Sequence, residues 1–557
     1  MRALKTETIV VAASVWMALA LNSPFWLRFY RAVEPNGISD WLFLAVAVVG
    51  VVACNALILM VIAHRPVFRV VMAVVLPVTA AASYFMGQYG IIIDGSMIRN
   101  AIETDTREAG DLISASLIVY VLVLGVLPAV ALWFVPWQPR PLRDRIVAAF
   151  KTSAVVLPLL GILAYPFFGN FLSVLREHKE VRMALTPANV ISGLLHYANQ
   201  ERRTIAAPLQ SYGDDAVRRP SAGGNVRPRL FVIVVGESAR AEQFSLNGYA
   251  RPTTPRLAEI SGLVNYPNAS SCSTDTAHSV PCMFSGLGRA NFSVPAAALR
   301  ENLLDVLRRA GFDVIWRDNQ SGCKGVCARI VTQNLITQAR ESSVVTDETH
   351  DEILLDGLRE QIATLSRDTV LVLHMMGSHG PAYWKRVPAT FAVFQPVCRE
   401  IEFSRCAPQE LINAYDNTIR YTDHVLAQLI DTLDGASTHN VDAAMIYLSD
   451  HGESLGERNL YLHGMPFAIA PSQQTHIPML TWLSPGFEER VMIDHACLQK
   501  SADASISHDH LFHSVLGVLD VATRVYDPAL DIYHACRTTA VSGGGQSVPV
   551  RPASHVR

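Results

Sequence analysis

The sequence predicts a chain in two parts, an α-helical region that crosses a membrane followed by a soluble α/β domain. Two observations carry this. The apolar residues are concentrated before residue 170, in long runs separated by short polar joints, within a chain that is 50% hydrophobic with mean hydropathy +0.24. After residue 229, short apolar runs alternate with stretches of helical spacing, which argues for a layered α/β domain rather than a β-sandwich. The roughly 310 residues available there suffice for one large domain.

A helix of about 20 apolar residues spans a bilayer core. Five runs qualify: Thr8 to Phe29, Trp41 to Ala63, Val70 to Ile93, Leu112 to Trp137 and Val147 to Phe168. Residues 1–170 are therefore read as a five-helix membrane domain. No small-residue cleavage site follows the first run, so it reads as a retained span rather than a signal peptide. Arg2 and Lys5, then His64-Arg65 and Arg69, then Arg140, Arg143 and Arg145 fall on one side if the spans alternate. Positive charge marks that side as cytoplasmic, so everything after the fifth span is expected to be extracytoplasmic. The net charge of −3 makes no case for nucleic acid.

The cysteines test this topology. Cys54 lies in the second span, and the other eight lie in the exported part: Cys272, Cys282, Cys323, Cys327, Cys398, Cys406, Cys497 and Cys536. An even number in an oxidising compartment suits disulfides. Closeness in sequence suggests 272 with 282, 323 with 327 and 398 with 406, leaving 497 with 536. A structural zinc site at Cys323-x-x-x-Cys327 is the competing reading, and it lacks a second ligand pair at finger spacing.

Residues 171–229 form a connector of two textures. Leu172 to Gln200 has helical spacing with mixed charge and suits a bridging helix on the membrane surface or against the domain. Arg202 to Arg229 is rich in Pro, Gly, Ser and Arg and reads as a linker. The catalytic domain is placed at 230–540, with 541–557 a disordered tail. Expected strands are Leu230 to Gly236, Asp313 to Trp316, Thr369 to His374 and Ala444 to Ser449. Expected helices include Leu303 to Ala310, His350 to Leu365 and Gln409 to Leu433.

Three motifs carry chemistry. The run Ile446-Tyr447-Leu448-Ser449-Asp450-His451-Gly452-Glu453-Ser454-Leu455-Gly456-Glu457 reads as a buried strand whose carboxyl end exposes a carboxylate beside an imidazole. That edge is where open α/β sheets place their sites, and both groups are zinc ligands. An N-capping Asp with a solvent-facing His is the plain alternative. The run Phe231 to Gly236 ends likewise in Glu237-Ser238-Ala239-Arg240, so two strand ends can converge on one metal. The third motif, Ser271-Cys272-Ser273-Thr274-Asp275-Thr276-Ala277-His278-Ser279-Val280-Pro281-Cys282, holds hydroxyls at a helix start between two cysteines. Backbone amides and the helix dipole there favour developing negative charge.

These motifs, in this order behind five spans, together with Trp316-Arg317-Asp318-Asn319 and His374-Met375-Met376-Gly377-Ser378-His379-Gly380-Pro381-Ala382-Tyr383, resemble the lipid A phosphoethanolamine transferases. The mobile colistin resistance enzymes belong to that family. The resemblance runs from the first span to about residue 537. It implies an alkaline-phosphatase or sulfatase-like α/β/α fold and a catalytic zinc held by Glu237, Thr276, Asp450 and His451. It also implies that Thr276 is the nucleophile, taking phosphoethanolamine from phosphatidylethanolamine and passing it to a lipid A phosphate. Lys324 matches a phosphate-contacting lysine, with Ser321 and Thr274 nearby. His379 and His463 match two histidines that bind substrate phosphate, assist proton transfer or hold a second zinc. Asn100, Thr104 and Glu108 resemble the positions that receive the ethanolamine head, and their spacing puts them on one helical face. Buried strand packing is the expected role of His374. A monomer is expected.

The chain departs from the family pattern, which reads Cys-Gly-Thr-Ala-Thr where this chain has Cys272-Ser273-Thr274-Asp275-Thr276. Asp275 stands where the family has alanine, adding a carboxylate beside an incoming phosphate, unfavourable unless it points away or pairs with a cation. His278 takes no role from the sequence. Core heptose or Kdo sugars are alternative acceptors. A sulfatase is disfavoured because no Cys or Ser followed by x-Pro-x-Arg surrounds Thr276. A glycerol phosphate transferase of the lipoteichoic acid type lacks the cystine-rich frame, and a catalytically dead scaffold would not keep every metal ligand.

Overall fold

The computed structural model describes residues 3–104, 106–138, 141–219, 227–337, 349–437 and 441–538. The expected tail at 541–557 lies outside the described residues.

The membrane region differs from five simple spans. The first run forms two helices, α1 (Thr6–Leu19) and α2 (Ser23–Val33), bent by 61°. Pro24 in the first turn of α2 has no N–H to continue the ladder. Asn22 closes the corner, its Nδ2 donating to the carbonyls of Met17 and Thr186, each at 2.8 Å. Four long apolar helices follow the expectation more closely: α3 (Ile38–Val61), α4 (Arg65–Gln88), α7 (Ala115–Phe134) and α8 (Leu142–Ala164). Between α4 and α7 lie the short α5 (Gly95–Glu103) and α6 (Thr106–Asp111). The apolar window of α3 is only 17% buried, as a lipid-facing helix requires. Gly125 lets α7 approach α4 closely, since a Cβ there would lie 2.7 Å from Pro77 Cα. The third expected span stops at Gln88 instead of Ile93, because Ile91 and Ile93 are buried in the core beneath the α/β domain. Leu4 N–H donates to the Pro136 carbonyl at 2.8 Å, placing the start of α1 and the end of α7 at one membrane face.

The connector is more ordered than its composition suggests. α9 (Phe168–Glu177) extends α8, and α10 (Ala188–Ala206) runs into the stretch expected to be a linker. Val217–Arg218 pairs antiparallel with Val521–Ala522, and Ala216 is buried. Backbone pairing and one apolar anchor hold residues 216–218 in place.

The α/β domain is built on an eight-stranded sheet. Its elements are β1 (Arg229–Gly236), β2 (Leu263–Ser270), α11 (Thr276–Ser285), α12 (Leu303–Arg309), β3 (Asp313–Asp318), β4 (Val331–Asn334), β5 (Thr369–His374), α13 (Pro408–Ser437), β6 (Asp442–Ser449), β7 (His476–Leu483), β8 (Ile506–Ser507) and α14 (Asp509–Val518). The strand order is β8-β2-β7-β6-β1-β5-β3-β4, and β7 alone runs against its neighbours. Every residue of β1 and β6 is buried, as a central strand covered on both faces requires. Leu230, Val232 and Val234 pack towards α13, while Phe231, Ile233 and Val235 pack towards α12 and α14. The expected helix from His350 to Leu365 is two pieces, a 3-10 turn at Asp351–Leu355 and a helix at Leu358–Ala363. Gly357 sits between them with φ +64°. Four disulfides join Cys272 to Cys282, Cys323 to Cys327, Cys398 to Cys406 and Cys497 to Cys536.

Candidate active site

Parallel pairing of β1 with β6 sets Gly236 opposite Ser449, so the next residues leave the sheet side by side. Asp450 N–H donates to the Gly236 carbonyl at 2.9 Å, and Ser238 N–H donates to Asp450 Oδ1 at 3.1 Å. Glu237, Asp450 and His451 are fully buried, and one ligand atom from each lies within 4.8 Å of the others. His451 Nδ1 donates to the Gly452 carbonyl at 2.8 Å, which leaves Nε2 with a free lone pair. Burial, opposed by Asp450, pushes His451 below its usual pKa, favouring the neutral ring. Among the described residues nothing donates a hydrogen bond to the buried Asp450 Oδ2. Two buried carboxylates facing an open imidazole nitrogen, one oxygen left without a donor, fit a divalent cation of zinc type.

Thr276 is the first residue of α11. Its Oγ1 lies 3.1 Å from Glu237 Oε2 and 3.3 Å from His451 Nε2. Asp275 caps this helix, its Oδ1 accepting from His278 N–H at 3.1 Å and from His278 Nδ1 at 2.8 Å. Burial opposes ionisation of Asp275, but the facing His278 outweighs it and holds the carboxyl well below the usual range. The same pairing raises His278 against its own burial. The carboxylate beside Thr276 is thus paired with His278 and serves as a cap.

Three further side chains support this corner, and the sequence reading gave them no role. Gln320 Nε2 donates to Glu237 Oε2 at 3.0 Å, and Ser238 Oγ donates to Glu237 Oε1 at 2.7 Å. Glu453 accepts from His463 Nδ1 at 3.0 Å and from Tyr383 OH at 3.0 Å. Each stands inside or beside a quoted motif, and that adjacency was the available signal. Burial works against protonation of His463, but Glu453 overrides it and raises the pKa. Burial and the neighbouring His463 push His379 well down. The rings of His463 and His451 are 4.3 Å apart, and those of His379 and His463 are 5.6 Å apart. Lys324 Nζ donates to Ser321 Oγ at 2.8 Å, from a backbone at φ +49° inside the Cys323–Cys327 loop.

Other expected residues fall elsewhere. Thr274 is 2% exposed and donates to the Met465 carbonyl at 2.6 Å, so its hydroxyl fixes the loop. Buried in β5, His374 is bonded to Asp318 at 2.8 Å. Asn100 and Thr104 do not continue one helix to Glu108. α5 ends with Thr104 in an extended conformation and α6 begins at Thr106, so the expected single face is broken. Thr104 Oγ1 donates back to the Asn100 carbonyl at 2.5 Å. α5 packs on α11. The side chain of Glu108 lies outside the described residues.

A layered α/β domain with acids and a histidine at strand ends and a hydroxyl at a helix start defines a sulfatase-type domain. The family described as Sulfatase matches residues 229–521, and the one described as Phosphoethanolamine transferase EptA/EptB matches residues 51–202. Phosphoethanolamine transferase EptA of Escherichia coli (strain K12) is 38% identical over 95% of this chain and 96% of its own. Phosphatidylethanolamine transferase Mcr-1 of Escherichia coli is 36% identical over 94% of this chain and 97% of its own. The solved integral membrane lipooligosaccharide phosphoethanolamine transferase A (EptA) from Neisseria meningitidis superposes with TM-score 0.92 at 34% identity, covering 97% of this chain and 100% of that one. The chain belongs to the phosphoethanolamine transferase family. It is an enzyme of the inner membrane with its α/β domain in the periplasm.

Proposed function

We propose that this protein moves phosphoethanolamine from phosphatidylethanolamine to a phosphate of lipid A through a covalent intermediate on Thr276. One observation carries the reading: Thr276 Oγ1 sits at the first turn of α11, 3.1 Å from Glu237 and 3.3 Å from His451. The donor is supported by the name of the Mcr-1 relative, and a lipopolysaccharide-type acceptor by that of the Neisseria protein.

In the first step Thr276 Oγ1 attacks the phosphorus of the donor. The oxygen–phosphorus bond to diacylglycerol breaks as the bond to threonine forms. In the second, an oxygen of the acceptor phosphate attacks that phosphorus and frees the threonine. Such transfers need positioning and charge neutralisation above all. The N-terminus of α11 favours negative charge on the phosphoryl oxygens, and Lys324 adds a cation. His463, whose pKa Glu453 raises, is placed to give a proton to the leaving oxygen. His379, kept neutral, orients the phosphoryl group. Glu237, Asp450 and His451 would hold a zinc ion together with Thr276. When bound it lowers the hydroxyl pKa and screens charge on the phosphoryl oxygens. The product carries an ammonium beside a lipid phosphate, which lowers the negative surface charge that polymyxins seek.

Intact-mass measurement of purified protein mixed with phosphatidylethanolamine tests the intermediate. A phosphoethanolamine adduct is expected on the wild type and none on Thr276→Ala. No adduct on the wild type, or equal adducts on both, sinks the mechanism. Mass spectra of lipid A and of core oligosaccharide from cells with and without the gene test the acceptor, the added mass being expected on lipid A.

A further inference from the structure

The α/β domain meets the membrane helices through a buried ion-pair cluster outside the site described above. Asp111, the last residue of α6, is 4% exposed. Its Oδ1 accepts from Lys385 Nζ at 2.5 Å and its Oδ2 from Arg386 Nη2 at 2.7 Å. Arg386 is also buried, and its Nε donates to the His379 carbonyl at 3.0 Å. A carboxylate on the membrane side therefore stands two hydrogen bonds from the backbone of a histidine in the active site. Arg386 uses the fixed fork of a guanidinium here, one edge towards Asp111 and the Nε–H towards His379, an arrangement that an ammonium does not reproduce. A second tie runs alongside. Tyr89, beyond α4, meets Phe403 edge-on with ring centres 6.0 Å apart, and Phe403 stacks on Tyr383 at 5.8 Å. Tyr383 OH then donates to Glu453, the partner of His463.

We propose that Asp111 is a positioning residue for transfer. It orients Arg386, Arg386 fixes the backbone of His379, and correct seating of the α/β domain on the membrane helices becomes a condition for fast reaction. The proposal rests on the reading of His379 as a substrate-side residue given above. Its physical basis is that reacting groups held by packing and supporting hydrogen bonds lose rate steeply when shifted by about an ångström. Removing a supporting partner of a ligand-type side chain typically costs about 10- to 100-fold.

The test uses full-length protein in mixed micelles with fluorescent phosphatidylethanolamine, and reads kcat and KM beside zinc content and thermal midpoint. Asp111→Asn is expected to lower kcat about 10- to 100-fold, with donor KM within about twofold and zinc content unchanged. Asp111→Glu, which keeps the charge, is expected to recover part of that loss. Arg386→Lys keeps a cation for Asp111 but loses the Nε–H, and should lower kcat to a similar extent. The double variant Asp111→Asn/Arg386→Lys should be no slower than the worse single variant, as for residues acting in series. Wild-type kcat in Asp111→Asn or in Arg386→Lys, or losses that multiply in the double variant, overturns the proposal. If Asp111→Asn does not fold, Arg386→Lys decides alone. His379→Ala separates the two levels: wild-type kcat there removes the reading of His379 itself, whereas a slow His379→Ala beside a fast Arg386→Lys removes only the tie.

Discussion

The strand-end corner and the membrane-side surface that faces it are built by opposite means. Glu237, Asp450 and His451 stand one or two residues beyond two paired parallel strands, so backbone hydrogen bonds on both sides fix where they leave the sheet. Asn100 and Thr104 stand on a nine-residue helix that ends at Thr104 and takes its orientation from packing on α10 and α11. A ladder fixes the first region, and contacts across a domain boundary fix the second. The difference matches the work each is proposed to do: phosphoryl transfer tolerates little displacement, whereas a surface that admits lipids must open to the bilayer.

That contrast can be broken by experiment. The largest effect is expected from Asp450→Asn, which removes a charge from the corner without changing its size. Transfer should fall about 10³-fold and zinc should be lost to a weak chelator; a variant retaining zinc and a tenth of the rate would show that the corner is not the metal site. Next in size is a pH effect on stability. His508 ties the two loops of the corner together, accepting from Cys272 N–H at Nδ1 and donating from Nε2 to the Ser449 carbonyl. Burial pushes it down to about 4 from a usual 6.5. The unfolded chain therefore takes up a proton first as the pH falls, so stability present above pH 6.5 is lost progressively towards pH 4. The loss is on the order of 3 kcal/mol. Denaturant titrations at pH 7, 5.5 and 4 measure it, and His508→Asn should flatten the dependence.

A smaller effect is expected at the cap of α11. Asp275→Ala removes both the cap and the partner of His278 and should lower stability by about 1–2 kcal/mol, read as a shift in urea midpoint. No shift would show that α11 is held by its disulfide and packing alone. The smallest change should come from the membrane side. Asn100→Ala is expected to raise donor KM about three- to tenfold, the worth of one hydrogen bond, with kcat unchanged. A fall in kcat with constant KM would mean that α5 takes part in the chemistry instead of lipid binding.

Much of the site was legible because its residues sit at the ends of strongly apolar strands. The runs before Glu237 and Asp450 have no polar interruption, so their period and length marked central strands. The other four strands of the sheet lie outside the expected set: β4 and β8 are only four and two residues long, and β2 and β7 are interrupted. β2 mixes Asn265, Pro267 and Asn268 into its run, and β7 carries Pro478, so neither shows a clean pattern. The bend at Asn22 was also hidden, since hydropathy averages over a run and does not register a missing donor at Pro24. Gln320, Ser238 and Glu453 lay next to recognised residues, yet polar residues beside a motif carry no mark of which way they point. The break at Thr104 was invisible for a related reason: i, i+4, i+8 spacing describes a face only where the helix is continuous.

By itself the sequence determined the division into membrane and α/β parts, the strand ends that carry the acids and histidine, and the cysteines available to staple the loops. Those features are local, set by apolar period, charge and spacing, and local patterns survive in one dimension. Only the tertiary structure decided that Asp275 pairs with His278, that Thr274 turns into the loop, and that Asp111 reaches His379 through Arg386. The ion pair with Arg386 joins residues 275 positions apart in the chain. Such contacts depend on how whole layers dock, and no window of sequence contains both partners.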